Sequence, residues 1–255
     1  MQGSDGNERN ALITGAARRI GRAVAERLAA EGYGLALHAS ERSAPAAEEL
    51  AGTIRRRGGR ACVVVADLAS PEDTATLVDR ALAAIGPLCL LVNNASIYEP
   101  DAADVFDAAR WDQHMAVNLR APVQLAAAFA ASIPPRGEGV VINITDQKVW
   151  RLNPRFFSYT LSKAALWTAT QTMAQAFAPR VRVNAIGPGP VLPNHLEGPE
   201  GFEREAAALP LGASVAPEEI AAAVLFLTQA RSVTGQMIAV DGGQHLSWKT
   251  PDISG

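Results

Sequence analysis

The chain has 255 residues, of which 48% are apolar, enough to bury one large hydrophobic core. Its formal net charge is −3, so it lacks the broad positive field with which proteins bind nucleic acids or anionic membrane surfaces. Cys62 and Cys89 each stand alone in an apolar run, which excludes the paired spacing of a disulfide framework or a zinc site.

The first ten residues, Met1 to Asn10, are polar and lack the basic and apolar regions of a secretory signal. No apolar stretch reaches the ~18 residues that a membrane-spanning helix needs. We therefore expect a flexible segment over residues 1–10 of a soluble, cytoplasmic protein. The histidines lack metal-ligand spacing, and no metal is expected; they are His38, His114, His195 and His245.

Seven short apolar runs alternate with longer segments of helical period, the pattern of a doubly wound parallel sheet. The predicted strands are Ala11 to Thr14, Gly34 to His38, Ala61 to Ala66, Leu88 to Asn93, Gly139 to Ile144, Arg180 to Ile186 and Gln236 to Val240. Because these runs are almost wholly apolar, we expect both faces of the sheet to be covered by helices. The sequence therefore predicts a single α/β domain of the Rossmann type over residues 11–246, followed by a tail at 247–255.

Helix signals agree with this alternation. The first predicted helix, Gly21 to Ala30, is followed by Gly32, a residue that commonly ends a helix in the left-handed conformation. Ser70 precedes Pro71 and two acids, the pattern of a capped helix start. The segment from Pro188 to Gly212, rich in proline, glycine and charge, follows a strand end and is predicted to be an irregular substrate lid.

The segment from Leu12 to Gly21 joins the first strand to the first helix. Its small residues allow backbone amides at the helix N-terminus to approach a pyrophosphate, which the helix dipole also favours. The candidate phosphate-binding residues in this loop are Gly15, Arg18, Arg19, Ile20 and Gly21.

The second strand ends at Ala39, where a chain that binds NAD would place an acid for the ribose 2′-hydroxyl. No carboxylate there repels a 2′-phosphate, and hydroxyl and guanidinium groups follow at Ser40, Arg42 and Ser43. Together with the arginines of the first loop, these residues predict a site for NADPH.

Tyr159 and Lys163 are four residues apart, so on a helix they lie on one face, one turn apart. An ammonium group beside a phenol favours the phenolate, so we expect Lys163 to lower the pKa of Tyr159 toward working pH. Asp146 follows the fifth predicted strand, at the sheet edge where ligands bind, and Asn118 lies in a helical run as a further polar candidate.

The order and spacing of these residues resemble the short-chain dehydrogenase/reductase family over residues 11–246. The segments that carry the resemblance are Thr14-Gly15, Asp67-Leu68, Asn93-Asn94-Ala95, Asn118, Tyr159 with Lys163, Pro188-Gly189, Val233-Thr234-Gly235 and Asp241-Gly242-Gly243. The resemblance implies that Tyr159 donates a proton, that Lys163 holds the nicotinamide ribose, and that Asn118 anchors a water relay. It also implies that Asp67 and Leu68 contact adenine, and that the cofactor is contacted by Asn93, Asn94, Ala95, Pro188 and Gly189.

Three positions depart from the usual family pattern: Arg19 replaces a glycine, Ser96 replaces a glycine, and Asp146 replaces the catalytic serine. All three resemble the pteridine reductases and dihydromonapterin reductases, in which an aromatic residue at the position of Tyr98 stacks on the pterin. The resemblance implies that Arg19, Ser96, Tyr98, Asp146 and Tyr159 contact a dihydropterin. A carboxylate also suits a heterocycle whose ring nitrogens need a proton.

Two alternatives remain open. The first is a carbonyl reductase for a ketone or quinone, in which Asp146 only orients Tyr159. The second is an NADPH-binding sensor or scaffold without turnover.

The runs Ala121 to Ala131 and Ala164 to Phe177 are apolar over more surface than one sheet-facing stripe requires, which predicts a homo-oligomer. The family resemblance implies a homotetramer, with the tail from His245 to Gly255 reaching a neighbouring subunit.

Overall fold

The computed structural model describes residues 9–193, 196 and 198–247, and its seven strands form one parallel sheet. The strands are β1 (Asn10–Ile13), β2 (Gly34–Ala39), β3 (Ala61–Val65), β4 (Leu90–Asn93), β5 (Gly139–Ile144), β6 (Val181–Pro188) and β7 (Met237–Val240). Their order is β3-β2-β1-β4-β5-β6-β7, and every neighbouring pair is parallel. The predicted Rossmann-type α/β fold is confirmed.

The described part of the chain contains eight α-helices: α1 (Arg19–Ala30), α2 (Ala44–Arg56), α3 (Pro71–Ile85), α4 (Ala108–Met115), α5 (Ala121–Ser132), α6 (Phe157–Phe177), α7 (Gly198–Ala207) and α8 (Pro217–Gln229). Side chains of α1, α2 and α8 form one hydrophobic core with the sheet, and side chains of α3, α5 and α6 form another. Helices therefore cover both faces, as the apolar strands predicted.

The strand β1 shows why the predicted strands lack polar alternation. Ile13 belongs to the core on the α1 and α8 side, its neighbour Leu12 belongs to the core on the α3 and α5 side, and neither is exposed. Successive strand residues point to opposite faces, so a strand covered on both faces needs an apolar residue at every position.

The predicted helix signals are present. The backbone N–H of Asp73 donates to Ser70 Oγ over 3.1 Å, and Pro71 is the first residue of α3. After α1, Gly32 has a φ of +81°, the left-handed conformation that glycine adopts without a steric penalty.

Several predicted boundaries differ from the structure. The strand β1 already includes Asn10, which was assigned to the N-terminal segment, and β6 continues through Pro188. The segment predicted to be an irregular lid contains α7, because its run from Phe202 to Ala207 is rich in good helix formers. Residues 1–8, His195 and the tail from 248 to 255 lie outside the described residues.

No helix in the described part of the chain is both long enough and apolar enough to cross a bilayer. Nor do three or more His, Cys, Asp or Glu side chains come together in it as a potential metal site.

The carboxyl ends of the strands meet at one edge of the sheet because all seven run in parallel. The loop after β1 adjoins β4, since the backbone N–H of Thr14 donates to Val92 O over 2.9 Å. On either side of this pair the chain winds in opposite directions, which is where open α/β sheets bind their ligands.

Candidate active site

The loop after β1 requires glycine at two positions. Gly15 has a φ of +62°, and a Cβ on Gly21 would lie 2.2 Å from the backbone O of Gly15. Arg19 has a φ of +51° although it is not glycine, a conformation that costs about 1–3 kcal/mol unless surrounding contacts hold it. Its guanidinium donates to Leu192 O over 2.9 Å and to Pro193 O over 2.8 Å. Arg19 therefore ties this loop to the lid.

The segment after β4 holds the same loop in place by hydrogen bonds. Thr14 Oγ1 accepts hydrogen bonds from the backbone N–H groups of Asn94 and Ala95, over 2.9 and 3.0 Å. Asn94 Nδ2 donates to Thr14 O over 2.8 Å and to Gly15 O over 3.1 Å. These four bonds fix the backbone where a pyrophosphate would be received.

His38 supports the loop from the side of β2. The backbone N–H of Gly15 donates to His38 Nδ1 over 3.2 Å, which makes Nε2 the protonated nitrogen and lets it donate to Ala66 O, also over 3.2 Å. Burial lowers the pKa of His38 to about 4. The residue is therefore a neutral structural bridge between β2 and the loop.

A cavity of about 890 Å³ extends along the carboxyl edge of the sheet, a size that admits a cofactor together with a small substrate. It brings together most of the predicted site residues. Those that line it are Gly15, Arg18, Arg19, Ile20, Gly21, Ser40, Ser43, Asp67, Leu68, Asn94, Ala95, Ser96, Tyr98, Asp146, Tyr159, Lys163, Pro188 and Gly189.

Three predicted residues do not line this cavity. Arg42 is exposed on a short 3-10 helix and does not line the cavity, although its neighbours Ser40 and Ser43 do. Asn93 is buried, where its Nδ2 donates to Asn143 Oδ1 over 2.9 Å, so it supports the site from the core. Asn118 is also buried and lies behind the cavity wall.

Asn118 occupies a π-helical turn, Ala116–Arg120, between α4 and α5. Its Nδ2 donates to Ile97 O over 3.0 Å and to Ser162 Oγ over 3.2 Å. Its Oδ1 accepts from the backbone N–H of Ile97 over 2.9 Å and from Ser96 Oγ over 3.1 Å. Asn118 thus joins the segment after β4 to the helix that carries Tyr159.

At the inner end of the cavity, Tyr159 and Asp146 form a short hydrogen bond. Tyr159 Oη donates to Asp146 Oδ2 over 2.7 Å. Asp146 stands two residues beyond the end of β5, and its Oδ1 accepts the backbone N–H of Lys148 over 2.8 Å. The backbone of its own turn therefore orients the carboxylate that accepts the hydrogen bond from the phenol.

Lys163 lies on the same helix face as Tyr159, as predicted, and is 2% exposed. Its Nζ donates to Ile144 O over 2.8 Å and lies 5.9 Å from the centroid of the Tyr159 ring. Burial lowers the pKa of Lys163 to about 8, since a buried ammonium loses its hydration.

The expectation that Lys163 lowers the pKa of Tyr159 is wrong for this arrangement. Burial raises the pKa of Tyr159 well above its usual value, and the adjacent negative charge of Asp146 raises it further. The Lys163 ammonium is directed at Ile144 O instead of the phenol oxygen. Tyr159 is consequently held as a protonated phenol, the form that donates a proton.

The aromatic wall of the cavity includes Phe156, which the sequence analysis missed. Tyr98 stacks on Phe156, with ring centroids 4.3 Å apart and planes 14° apart, and meets the Tyr159 ring edge-on at 4.8 Å. Lys148, also missed, places its Nζ 3.9 Å from Asp146 Oδ1. The only signal for Lys148 in the sequence was its position two residues after Asp146. It was easily overlooked because charged residues in loops are usually solvated.

The buried His38 leads to a prediction about stability and pH. Between about pH 6.5 and 4, the unfolded chain binds a proton at His38 that the folded chain does not bind, so stability falls as the pH falls. From about pH 7 to about pH 5, this residue should lower the free energy of unfolding by about 2 kcal/mol. Urea unfolding at both pH values measures the change.

The variant His38→Gln is the control, because it keeps a donor and an acceptor but has no proton to gain. It should lose this component of the pH dependence. Equal pH dependence in the variant and the parent protein would contradict the assignment of His38 as a neutral bridge.

Comparison with known proteins agrees with the fold. A family model described as enoyl-(acyl carrier protein) reductase matches residues 15–245. A short-chain type dehydrogenase/reductase of Picea abies is 33% identical over 255 residues, covering 92% of each chain.

Two solved structures are more similar. FolM alternative dihydrofolate reductase 1 from Brucella suis, in complex with NADP, is 51% identical, with a TM-score of 0.94 over 97% of this chain and 99% of the other. The same reductase from Brucella canis, complexed with NADP, is 51% identical, with a TM-score of 0.91 over 97% and 98%. These identities extend over nearly the whole chain. The protein belongs to the short-chain dehydrogenase/reductase family.

Proposed function

We propose that this protein is an NADPH-dependent pteridine reductase, which transfers a hydride to a dihydropterin such as dihydromonapterin, dihydrobiopterin or dihydrofolate. The observation that carries the proposal is the 2.7 Å hydrogen bond from Tyr159 to Asp146, a carboxylate in place of the serine usual in the family. The two 51% identical reductases, described as dihydrofolate reductases in complex with NADP, support it.

The cofactor end of the cavity fits NADPH. Gly15 and Gly21 line the cavity, and a Cβ on Gly21 would clash with Gly15 O, so the loop needs glycine to close into the shape that would receive a pyrophosphate. Arg18, Ser40 and Ser43 line the cavity where β2 ends at the uncharged Ala39, and they would hold a 2′-phosphate.

The rest of the cofactor would lie along the carboxyl edge of the sheet. All the residues proposed for it line the cavity: Asp67 and Leu68 would contact adenine, while Tyr159, Lys163 and the Pro188-Gly189 segment would lie at the nicotinamide. When bound, NADPH supplies the hydride. The Lys163 ammonium, buried and held by Ile144 O, would hold the nicotinamide ribose.

Reduction of a carbon–nitrogen double bond needs a proton on nitrogen when the hydride reaches carbon. Tyr159 carries such a proton, because burial and Asp146 raise the pKa of the phenol. Asp146 accepts a hydrogen bond from that phenol, so the two side chains form one proton-holding unit at the inner end of the cavity. Asn118 positions this unit through Ser162, which lies one residue before Lys163.

The substrate end of the cavity suits a flat, polar heterocycle. Tyr98 and Phe156 supply aromatic surface, Ser96 supplies a hydroxyl, and Arg19 lies where the loop meets the lid. Offset stacking on an aromatic ring is favourable for a planar ring system, and the polar groups would orient its nitrogens and oxygens.

The first prediction of this proposal concerns cofactor choice. Arg18→Ala should lower kcat/KM for NADPH by roughly tenfold, the effect of losing one exposed charge-assisted contact, with little change for NADH. Arg42→Ala should have the smaller effect, since Arg42 lies outside the cavity. Equal use of NADPH and NADH by the parent protein would contradict the proposed 2′-phosphate site.

The second prediction tests the reaction itself. Asp146→Ser should slow dihydropterin reduction by about 10²- to 10⁴-fold, the effect of losing an acid–base group, while NADPH binding barely changes. In a carbonyl reductase, the same substitution restores the serine usual in the family, so ketone reduction should persist or improve. The ratio of dihydropterin to ketone turnover at saturating NADPH is the measurement.

The control for this experiment is Tyr159→Phe, which removes the phenolic proton and keeps the ring. It should depress ketone reduction severely, and a pterin reaction with a second proton route through Asp146 should retain part of its rate. A turnover ratio that does not fall in Asp146→Ser would remove the main support for the pteridine assignment.

We further propose that the protein is a cytoplasmic homotetramer. The wide apolar surfaces of α5 and α6 support a subunit interface, and Leu161 and Phe226 are exposed in the single chain, by 38% and 55%. Light scattering at micromolar concentration should give the mass of an oligomer. A monomer mass would contradict this proposal.

A further inference from the structure

The negative charge of Asp146 has one cationic partner within ion-pair distance among the described residues. This partner is Lys148, whose Nζ lies 3.9 Å from Asp146 Oδ1. The other ammonium group of the site, that of Lys163, donates instead to Ile144 O. A serine at position 146 would need no counter-charge, whereas a carboxylate that is only 15% exposed does.

Lys148 itself is largely removed from water, since its side chain is only 14% exposed. Its Nζ lies 5.4 Å from the centroid of the Tyr98 ring and 5.9 Å from that of Phe156, at the edge of the aromatic stack. Burying a lysine side chain is costly unless its ammonium group lies near a negative charge or the face of an aromatic ring. Both are present here.

We propose that Lys148 is a positioning residue that acts through Asp146, holding its carboxylate against Tyr159 and neutralising its charge beside the substrate. Lys148 contributes twice to the same oxygen: its backbone N–H donates to Asp146 Oδ1 over 2.8 Å, and its ammonium faces that oxygen. The other oxygen, Oδ2, is thereby left for the Tyr159 hydroxyl. This inference rests on the proposed function of Asp146 and names the group that Asp146 depends on.

The charge of Lys148 matters for proton delivery because Asp146 and a substrate nitrogen compete for the phenolic proton of Tyr159. An unneutralised carboxylate would hold that proton more strongly, since a nearby negative charge disfavours its departure from the pair. The groups that face Asp146 are Tyr159, Lys148 and, at longer range, Lys163. Removing the ammonium at position 148 therefore leaves the carboxylate to compete with the substrate.

The test uses Lys148→Met, which keeps the unbranched apolar stem and removes the charge, and Lys148→Arg, which keeps the charge. At saturating NADPH, Lys148→Met should lower kcat for dihydropterin reduction by roughly 10- to 100-fold, the loss expected for one charge-assisted contact. Lys148→Arg should remain within about threefold of the parent protein, and NADPH affinity should be unchanged in both.

A double-mutant cycle separates this role from a merely structural one. In an Asp146→Asn background the carboxylate charge is absent, so adding Lys148→Met should change kcat by less than about threefold. The matched control is Arg136→Met, which removes an exposed cation that does not line the cavity and should change kcat by less than about twofold.

Three results would overturn the proposal: full activity of Lys148→Met, an equal loss in the Asp146→Asn background, or failure of Lys148→Arg to restore the rate. If Lys148→Met does not bind NADPH, Lys148→Gln takes its place in the same cycle. Lys148→Arg then still tests whether a positive charge at position 148 is enough to keep the rate. An enzyme that reduces ketones and no dihydropterin would overturn the proposed function alone, because the cycle can be measured with a ketone.

Discussion

A carboxylate buried at the end of β5 is the constraint on which the site depends. Asp146 is held by the backbone of its own turn, bonded to the Tyr159 hydroxyl and paired with Lys148. Each contact offsets part of the cost of removing a charge from water. Burial and the Asp146 carboxylate together keep Tyr159 protonated, so the proton that the site can deliver depends on the same buried charge.

The fold makes this arrangement possible by bringing distant segments to one sheet edge. Asp146 follows β5, Tyr159 and Lys163 come from α6, and the loop after β1 is braced by Asn94 from the end of β4. The N-terminus of α6 is fixed from another segment, because the backbone N–H of Ser158 donates to both carboxylate oxygens of Asp101 over 3.1 Å. Parallel strands, covered on both faces, supply the rigid base.

Much of this could be predicted from the sequence because the relevant signals are local. Apolar runs indicated the strands, and the four-residue spacing of Tyr159 and Lys163 placed both side chains on one helix face. The lid was harder, since its helix-forming run at α7 competes with flanking proline and glycine.

What could not be predicted depends on direction and burial in three dimensions. Arg42 belongs to the predicted phosphate-binding segment yet is exposed outside the cavity, while Lys148 resembled a solvated loop residue and is largely buried. The pKa of Tyr159 was predicted in the wrong direction, because spacing alone did not reveal that the Lys163 ammonium donates a hydrogen bond to Ile144 O.

The most direct test of the central claim is NADPH consumption by the parent protein with dihydropterins and simple ketones in parallel. The account predicts that kcat/KM for at least one dihydropterin exceeds that for every ketone by about tenfold or more, a difference of about 1.4 kcal/mol in transition-state stabilisation; rapid turnover of ketones with none of any dihydropterin would contradict it.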